Sequence, residues 1–224
     1  MSNKLIILGD SLFAEIAYEY FTVDSDYEVV AFAVEKEYMT KETLFNLPIV
    51  PFEDLAEQYA PKDHAFYAAL VYTKLNRLRT RLYQQAKALG YKPASYISSR
   101  AFVWRNVEIG EHCFIFEDNT VQPFVKIGDN VVLWSGNHIG HHTTIRDNNF
   151  ISSHVVISGS CDVGENGFFG VNCTIGNDVA IGADCLVGAG ATVIKDVPPN
   201  SLIKGNKTEY ASVTAKAYFK VADE

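Results

Sequence analysis

Three histidines lie within five residues of one another, at His138, His141 and His142. An imidazole can take a proton from an attacking nucleophile near neutral pH, so the cluster predicts general base catalysis. A lone histidine on a repeat is more often a surface or corner residue, but three together favour chemistry. We take His141 as the base, with His142 as its main rival.

The glycine Gly159 follows His141 by 18 residues, and this spacing carries a geometric prediction. If one coil of the chain takes 18 residues, Gly159 lies beside the imidazole, because parallel strands stack ~4.8 Å apart. A glycine lets a substrate approach the backbone closely, and its N–H can donate to an oxyanion. The pair would supply the base and the oxyanion donor for acyl transfer to an amine.

The coil itself follows from a repeat of six residues. All 17 positions reached by stepping in sixes from Ile97 to Val193 carry an aliphatic residue or Phe. An α-helix or a simple strand does not hold this register, whereas a parallel β-helix turns one large side chain inward from each short strand. Glycine and asparagine recur with a period of 18 residues, with Arg146 at one glycine position, which predicts triangular coils with tight corners where a positive φ is cheap. These columns are Gly110, Gly128, Gly164 and Gly182, and Asn130, Asn148 and Asn166.

The first part of the chain alternates predicted strands and helices, which indicates a small parallel sheet. We therefore divide the chain into a small α/β domain over residues 1–93, a parallel β-helix over 94–205 and a C-terminal segment over 206–224. A short helix within 209–219 would cap the open end of the β-helix, whose strand edges and apolar side chains would otherwise be exposed.

These motifs resemble those of the hexapeptide-repeat acyltransferases, whose signature is repeated here in Ile109-Gly110 and Ile127-Gly128. The α/β unit ahead of the repeat is similar to that of the NeuD/PglD-like sugar acetyltransferases. The resemblance implies a left-handed β-helix, a homotrimer, and acyl-CoA, most simply acetyl-CoA, bound between subunits. It implies N-acylation of a nucleotide-linked deoxyamino sugar, with His141 as base and Gly159 as oxyanion donor.

The resemblance also implies substrate contacts in the α/β domain. Gly9 and Ser11 lie in the turn after the first strand, where the subfamily has a G-x-G-like turn, and Asp10 makes this turn less suited to an anion. Asn76 and Arg79 match the subfamily's N-x-x-R helix start, and His154 is expected to line the groove. The subfamily has an acid directly after the catalytic histidine, and this chain has His142. Asp147 or Glu117 are the candidate substitutes for that acid.

Cofactor contacts are expected along the later coils. Small residues there would admit the pantetheine arm, and lysines near the end of the β-helix would meet the phosphates of CoA. The candidates are Gly159, Gly170, Gly188, Ala189, Lys195, Lys204 and Lys207.

Composition limits the alternatives. A formal net charge of −8 over 224 residues argues against a nucleic-acid or membrane-surface binder. We find no signal peptide and no apolar run of ~20 residues, so we expect a cytoplasmic protein. An O-acetyltransferase of the same fold stays open. A metal protein similar to γ-class carbonic anhydrases would need two histidines five residues apart, and the cluster lacks them; we therefore expect no metal. A trimeric scaffold without enzymatic activity is the last alternative.

Overall fold

The computed structural model describes residues 3–205 and 209–222, and it contains an α/β domain followed by a left-handed parallel β-helix, as predicted. The sheet of the first domain has the order β3-β4-β2-β1-β5-β6, and only the β3–β4 pair is antiparallel. Its elements are β1 (Asn3–Leu8), α1 (Leu12–Val23), β2 (Tyr27–Val34), β3 (Thr43–Leu44), β4 (Leu47–Pro51), α2 (Leu55–Gln58), β5 (His64–Ala68), α3 (Arg77–Ala88) and β6 (Lys92–Pro93). Short 3₁₀ turns cover Lys36–Tyr38, Phe52–Asp54 and Pro61–Asp63.

Strand β1 is the centre of this sheet because its apolar run is buried on both faces. Leu5, Ile6, Ile7 and Leu8 are all at most 1% exposed. A continuous apolar run of this kind is typical of a parallel strand covered on both sides. Helix α1 covers one face and α3 covers the other, so the carboxyl ends of the strands stay open at one edge of the domain.

The β-helix is built from strands of two residues that form three parallel sheets. Face A contains β7, β10, β13, β16, β19, β22 and β24; face B contains β8, β11, β14, β17, β20 and β23; face C contains β9, β12, β15, β18 and β21. The strands are β7 (Tyr96–Ile97), β8 (Phe102–Val103), β9 (Glu108–Ile109), β10 (Phe114–Ile115), β11 (Thr120–Val121), β12 (Lys126–Ile127), β13 (Val132–Leu133), β14 (His138–Ile139), β15 (Thr144–Ile145), β16 (Phe150–Ile151), β17 (Val156–Ile157), β18 (Asp162–Val163), β19 (Phe168–Phe169), β20 (Thr174–Ile175), β21 (Ala180–Ile181), β22 (Leu186–Val187), β23 (Thr192–Val193) and β24 (Leu202–Ile203).

The corners between faces need a left-handed backbone at one residue each. Every sixth residue from His112 to Gly190 has a φ between +56° and +75°. The asparagine column fits this conformation, as predicted, because asparagine tolerates it better than most residues. The prediction of a positive φ for the glycine column was wrong. A side chain at Gly128 would instead lie 2.9 Å from the backbone nitrogen of Asp147 in the next coil, so that column needs glycine for lack of space.

Face A is covered by the α/β domain. Its outward side chains would be exposed in an isolated β-helix, but Tyr96, Phe114 and Phe150 are at most 3% exposed. They pack against Phe13 and Phe21 of α1 in one aromatic cluster. The inward side chains form a separate core that holds all four cysteines.

The α/β domain also contacts the corner between faces C and A through Arg79 of α3. Its guanidinium is fully buried and donates to the side chains of Asn76 and Asn130 and to the carbonyls of Asn130, Asn148 and Asn149. Burial lowers the pKa of Arg79 to about 10, so the group stays charged near neutral pH. Asn76 is equally buried and donates to the carbonyl of Gly167. Both residues were predicted to contact substrate, and they join the two parts of the chain instead, since no surface of either is left for a ligand.

A short C-terminal helix, α4 (Ala215–Tyr218), is present as predicted, but it does not cap the β-helix. Residues 209–222 are all exposed, whereas a cap would bury one side of the helix. Leu202, at the end of the β-helix, is 64% exposed. No helix within 3–205 or 209–222 has the length and apolar character needed to span a membrane.

Candidate functional site

His141 lies on the corner between faces B and C, directly after β14. Ile139 points into the core and Gly140 makes the turn, where a side chain would collide with the backbone of Ser158 in the next coil. These two constraints direct the exposed His141 side chain along the corner towards the coil above.

The imidazole of His141 lies over the backbone of Gly159. A methyl group on Gly159 would be 2.7 Å from Cε1 and 2.9 Å from Nε2 of His141, which is closer than carbon atoms approach without displacement. The structure therefore brings together the two residues that the 18-residue spacing paired. Any side chain at position 159 would displace the ring.

The backbone amides of this corner are held by side chains that the sequence analysis missed. The amide of Gly159 donates to Oδ1 of Asn177 at 2.9 Å, and the amide of His141 donates to Oε1 of Gln122 at 2.9 Å. Asn177 follows Gly159 by one coil of 18 residues, so the same spacing that paired His141 with Gly159 would have identified it. Asn177 is exposed, and its side chain can rotate away from the amide.

The ring of His142 lies against the ring of His141. The two Nδ1 atoms are 3.2 Å apart and the rings are nearly perpendicular, at 83°. The ring of His142 stacks on Phe124, one coil below, with centroids 4.6 Å apart. The two acids considered as partners for His141 lie elsewhere: Glu117 accepts from the hydroxyl of Tyr20, and Asp147 accepts from the amide of Asp129 on another corner.

The other two histidines of interest lie beside face B. His138 is half-buried on strand β14, in the middle of that face. His154 is exposed on the corner between faces A and B, where its ring covers Gly136. His154 therefore lies across face B from His141, on the opposite edge of the same surface.

The predicted cofactor residues divide between the same two edges. Lys195 lies on the B–C corner in the column of His141, Gly159 and Asn177. Gly170, Gly188 and Ala189 lie on the A–B corner, and the exposed Lys204 follows β24. The small size of Gly170 has a structural reason, since a side chain there would meet the backbone of Ala189 in the next coil. Lys207 lies outside the residues that the structure describes.

A separate cavity of about 500 Å³ lies at the carboxyl ends of the strands in the α/β domain. Gly9 and Ser11, the predicted substrate contacts of the first turn, line this cavity. The loop before α3 and the first turns of that helix complete the lining. Gly9 has a φ of +111°, which other residues rarely adopt, and Ser11 begins α1 with a hydroxyl that makes no capping hydrogen bond. The turn therefore exposes the positive end of α1 to the cavity.

The charges around this cavity are mixed. Two hydrogen bonds from Arg81 hold the pKa of Glu35 below its usual range, and Arg77 is paired with Asp184 of the β-helix. Lys74 lines the cavity in a left-handed turn with a φ of +51°. Lys41, which the sequence analysis missed, donates to the carbonyl of Asp10 and places a positive charge beside that acid.

The structure shows no metal-binding cluster within the described parts of the chain. No group of three or more His, Cys, Asp or Glu side chains there is arranged to hold an ion.

Comparison with known proteins identifies the repeat and the fold. Residues 106–141 and 124–159 each match the family described as bacterial transferase hexapeptide (six repeats). The acetyltransferase domain of PglB from Neisseria gonorrhoeae FA1090 aligns with a TM-score of 0.81 and 21% identity, over 91% of this chain and 97% of that one. PerB from Caulobacter crescentus, in complex with CoA and GDP-perosamine, aligns with a TM-score of 0.77 and 24% identity, over 90% of this chain and 94% of that one.

A second structure of the PglB domain, in complex with acetyl coenzyme A, aligns equally well, with a TM-score of 0.81 and 21% identity over 92% of this chain and 97% of that one. No curated protein matched the chain. The alignments include the α/β domain as well as the β-helix, since they extend over nine-tenths of the chain. The chain thus carries the bacterial transferase hexapeptide repeat that its sequence predicted, and it shares its fold with the PglB acetyltransferase domain and with PerB.

Proposed function

We propose that this protein is an acyltransferase that moves the acetyl group of acetyl-CoA to the amino group of a nucleotide-linked deoxyamino sugar. The observation that carries the proposal is the imidazole of His141 lying over the backbone of Gly159. An exposed base and the backbone N–H of a buried glycine are thereby adjacent, and acyl transfer from a thioester requires this pair of groups.

The chemistry is direct transfer. The amine nitrogen attacks the thioester carbonyl carbon while Nε2 of His141 takes the proton from that nitrogen. The carbonyl oxygen becomes negative and accepts from the amide of Gly159. The C–S bond then breaks, the amide product forms, and the proton on His141 passes to the CoA thiolate.

The amide of Gly159 must release Asn177 before it can hold the oxyanion. Its present acceptor is a neutral side-chain oxygen at 2.9 Å on an exposed residue. A hydrogen bond to an ionised acceptor is roughly twice as strong as one between neutral groups. The oxyanion therefore displaces the side chain of Asn177.

The cavity of the α/β domain is the proposed site of the nucleotide. Ligands of open parallel sheets bind outside the carboxyl ends of the strands, and this cavity lies there. The amino end of α1 and Lys74 supply positive charge for a diphosphate, and Lys41 offsets Asp10. Gly9 and Ser11 are the proposed contacts in the turn. The PerB structure was solved with GDP-perosamine, which is a ligand of the proposed class.

Face B is the proposed path of acyl-CoA. Lys195 shares the corner column of His141, and the exposed Ala189 and His154 lie on the other edge of the face. The pantetheine arm would run along the face, with Lys195 and Lys204 meeting the phosphates.

The proposal requires a second copy of the chain. The nucleotide cavity belongs to the domain that covers face A, whereas His141 lies on the corner opposite that face. A nucleotide in the cavity and the base of the same chain are therefore on different sides of the β-helix. We propose a homotrimer in which each site combines the cavity of one subunit with His141 of a neighbour.

The test is a thiol-release assay with acetyl-CoA and a panel of UDP-, dTDP- and GDP-linked amino sugars, with matched hydroxyl sugars alongside. We expect release with an amino sugar. Replacing His141 with Asn should lower turnover by about 10²–10⁴-fold. His64→Asn is the control, because His64 lies at the start of β5, at the end of the sheet away from the cavity, and it should retain turnover.

Each other result changes the proposal. Release with hydroxyl sugars alone would show an O-acetyltransferase. Full turnover in His141→Asn would place the base elsewhere. The absence of release with every sugar, together with measurable acetyl-CoA binding, would show that the cavity accepts a different class of ligand.

A further inference from the structure

His141 lacks the carboxylate neighbour that usually orients a catalytic imidazole, and the structure shows what takes its place. Glu117 and Asp147 are bonded elsewhere, to Tyr20 and to the amide of Asp129. The neighbour of Nδ1 of His141 is Nδ1 of His142, at 3.2 Å. The inference below rests on the proposed role of His141 as base.

A short contact between two Nδ1 atoms restricts where the protons are. A hydrogen bond needs one donor and one acceptor, so only one of the two atoms carries hydrogen. If His141 is to take a proton on Nε2, its own hydrogen must be on Nδ1, and Nδ1 of His142 must then be the acceptor. This arrangement leaves His142 neutral, with its hydrogen on Nε2.

The surroundings of His142 hold its ring in the orientation that this bond needs. The residue has a φ of +60° at a left-handed corner position, which sets the direction of its Cα–Cβ bond. The ring stacks on Phe124 at 4.6 Å and 26°, and Phe124 itself occupies the same column one coil below. The ring of His141 is in turn confined between His142 and Gly159.

We propose that His142 is the positioning residue of the base. Its Nδ1 accepts from Nδ1–H of His141 and so keeps Nε2 of His141 free to take the proton. When His141 becomes an imidazolium, the same hydrogen bond gains a charged donor and becomes stronger, which stabilises the charge formed during transfer. His142 touches neither the amine nor the thioester in this scheme, and it acts through His141.

Two substitutions of His142 distinguish the effect of its hydrogen-bond acceptor from the effect of its aromatic ring. In His142→Asn, Oδ1 takes the position of Nδ1, because both atoms are bonded to Cγ. In His142→Phe, the stack on Phe124 is kept and the acceptor is lost. Other left-handed corner positions of the β-helix already contain both residue types, with Asn130 at a φ of +56° and Phe124 at +65°, so each variant suits the backbone.

The first experiment measures kcat and KM of both variants in the thiol-release assay. Loss of the partner that orients a metal-binding imidazole typically costs about 10–100-fold, and we apply the same range to a catalytic imidazole. We expect His142→Phe to lower kcat by about that factor with KM for acetyl-CoA unchanged, and His142→Asn to stay within about threefold of the natural protein. Equal activity of the two variants, whether both high or both low, would overturn the inference.

The second experiment does not depend on turnover. In protein with ¹⁵N-labelled histidine, the nitrogen shifts distinguish Nδ1–H from Nε2–H imidazoles, and single His141→Asn and His142→Asn variants assign the signals. We expect His141 to carry hydrogen on Nδ1 and His142 to carry it on Nε2. The reverse assignment would overturn the inference even if the enzyme is active. The expected assignment in a protein that acylates no sugar would contradict only the proposed function.

Discussion

Gly159 shows how strongly one residue restricts the geometry of this corner. An added methyl group would lie 2.7 Å from the ring of His141, and the exposed ring is the part that can move. A displacement of about 1 Å in a catalytic group can cost roughly 10²-fold in rate. We therefore expect Gly159→Ala to lower kcat by about 10²-fold while the thermal midpoint changes little.

Gly176→Ala provides the matched control for that variant. Gly176 lies on the same corner one coil further, and a methyl group there would be 3.5 Å from Ile194, an ordinary contact distance. The control should retain activity. If Gly159→Ala were equally active, the position of the His141 ring over Gly159 would not matter for the reaction.

Substitution of Asn177 is expected to change kcat in the opposite direction from Gly159→Ala. Its Oδ1 accepts the hydrogen bond from the amide of Gly159, which the oxyanion is proposed to accept instead. Removing this competitor in Asn177→Ala leaves the amide free before substrate binds. We expect kcat to stay the same or rise by a few-fold, as measured in the thiol-release assay. A loss of tenfold or more would show that Asn177 contributes to the reaction directly.

At the scale of elements, the β-helix could be predicted from sequence because each hexad repeats one local requirement. The inward positions carry aliphatic side chains and the corner column carries residues that tolerate a positive φ, and both patterns are visible without long-range information. The pairing of His141 with Gly159 follows from the same repeat. Predicting these features required only the observation that one coil has 18 residues.

The contacts between the β-helix and the α/β domain could not be predicted in this way. Arg79 was predicted to contact substrate because it matches the N-x-x-R helix start of the NeuD/PglD-like subfamily. Its burial depends on which corner of the β-helix the helix α3 meets, and no local pattern contains that information. The contact between Asn177 and the amide of Gly159 is different, because it follows from the 18-residue coil and could have been predicted from the spacing.

His112 is a second buried group at this junction, and it makes the junction sensitive to acid. Its Nδ1 bonds to Oδ1 of Asn130, and its Nε2 accepts from the amide of Ala68 at the end of β5. Burial lowers the pKa of His112 from 6.5 to about 3. The unfolded chain therefore binds a proton that the folded chain does not, at any pH between these two values.

The consequence is a loss of stability as the pH falls below about 6.5. The slope from this one group approaches about 1.4 kcal/mol per pH unit in that window. We expect His112→Asn, which suits the left-handed column, to lack this contribution and to show a flatter dependence of unfolding free energy on pH. Denaturant unfolding at several pH values measures the difference, and parallel curves for the two proteins would contradict the assignment.

The same variant has a cost that is independent of pH. The shorter side chain leaves the buried amide of Ala68 without its acceptor, which typically costs about 1–3 kcal/mol. His112→Asn should therefore be less stable than the natural protein near neutral pH and lose less on acidification. At low pH the lost hydrogen bond destabilises the variant, whereas removal of the unprotonated imidazole stabilises it. A single measurement at pH 7 would detect only the first effect.

At the scale of the whole molecule, the domain that carries the proposed nucleotide cavity covers face A and leaves face B open. The aromatic outward residues of face A are buried by α1, whereas Phe102 on face B is 54% exposed and Phe124 on the B–C corner is 55% exposed. His141, the proposed base, thus lies on the side of the chain where large apolar side chains are uncovered. A second copy packed there would bury them and bring its own cavity towards His141.

This arrangement can be tested by mixing two inactive proteins. One variant, His141→Asn, keeps the cavity and lacks the base. The other, Lys74→Glu, keeps the base and places a negative charge in the cavity where a phosphate is proposed to bind. Each should be inactive alone with the nucleotide-linked sugar, and the two are mixed by joint refolding so that trimers contain both chains.

The two possible site architectures predict different results for the mixture. If each site combines two subunits, some sites in a mixed trimer receive an intact cavity from the His141→Asn chain and an intact base from the Lys74→Glu chain. Those sites should work, and a substantial fraction of the natural activity should return. If the site lay within one chain, every site in the mixture would carry one defect. The mixture would then stay inactive, although size-exclusion chromatography and a tag on one chain show that mixed trimers formed.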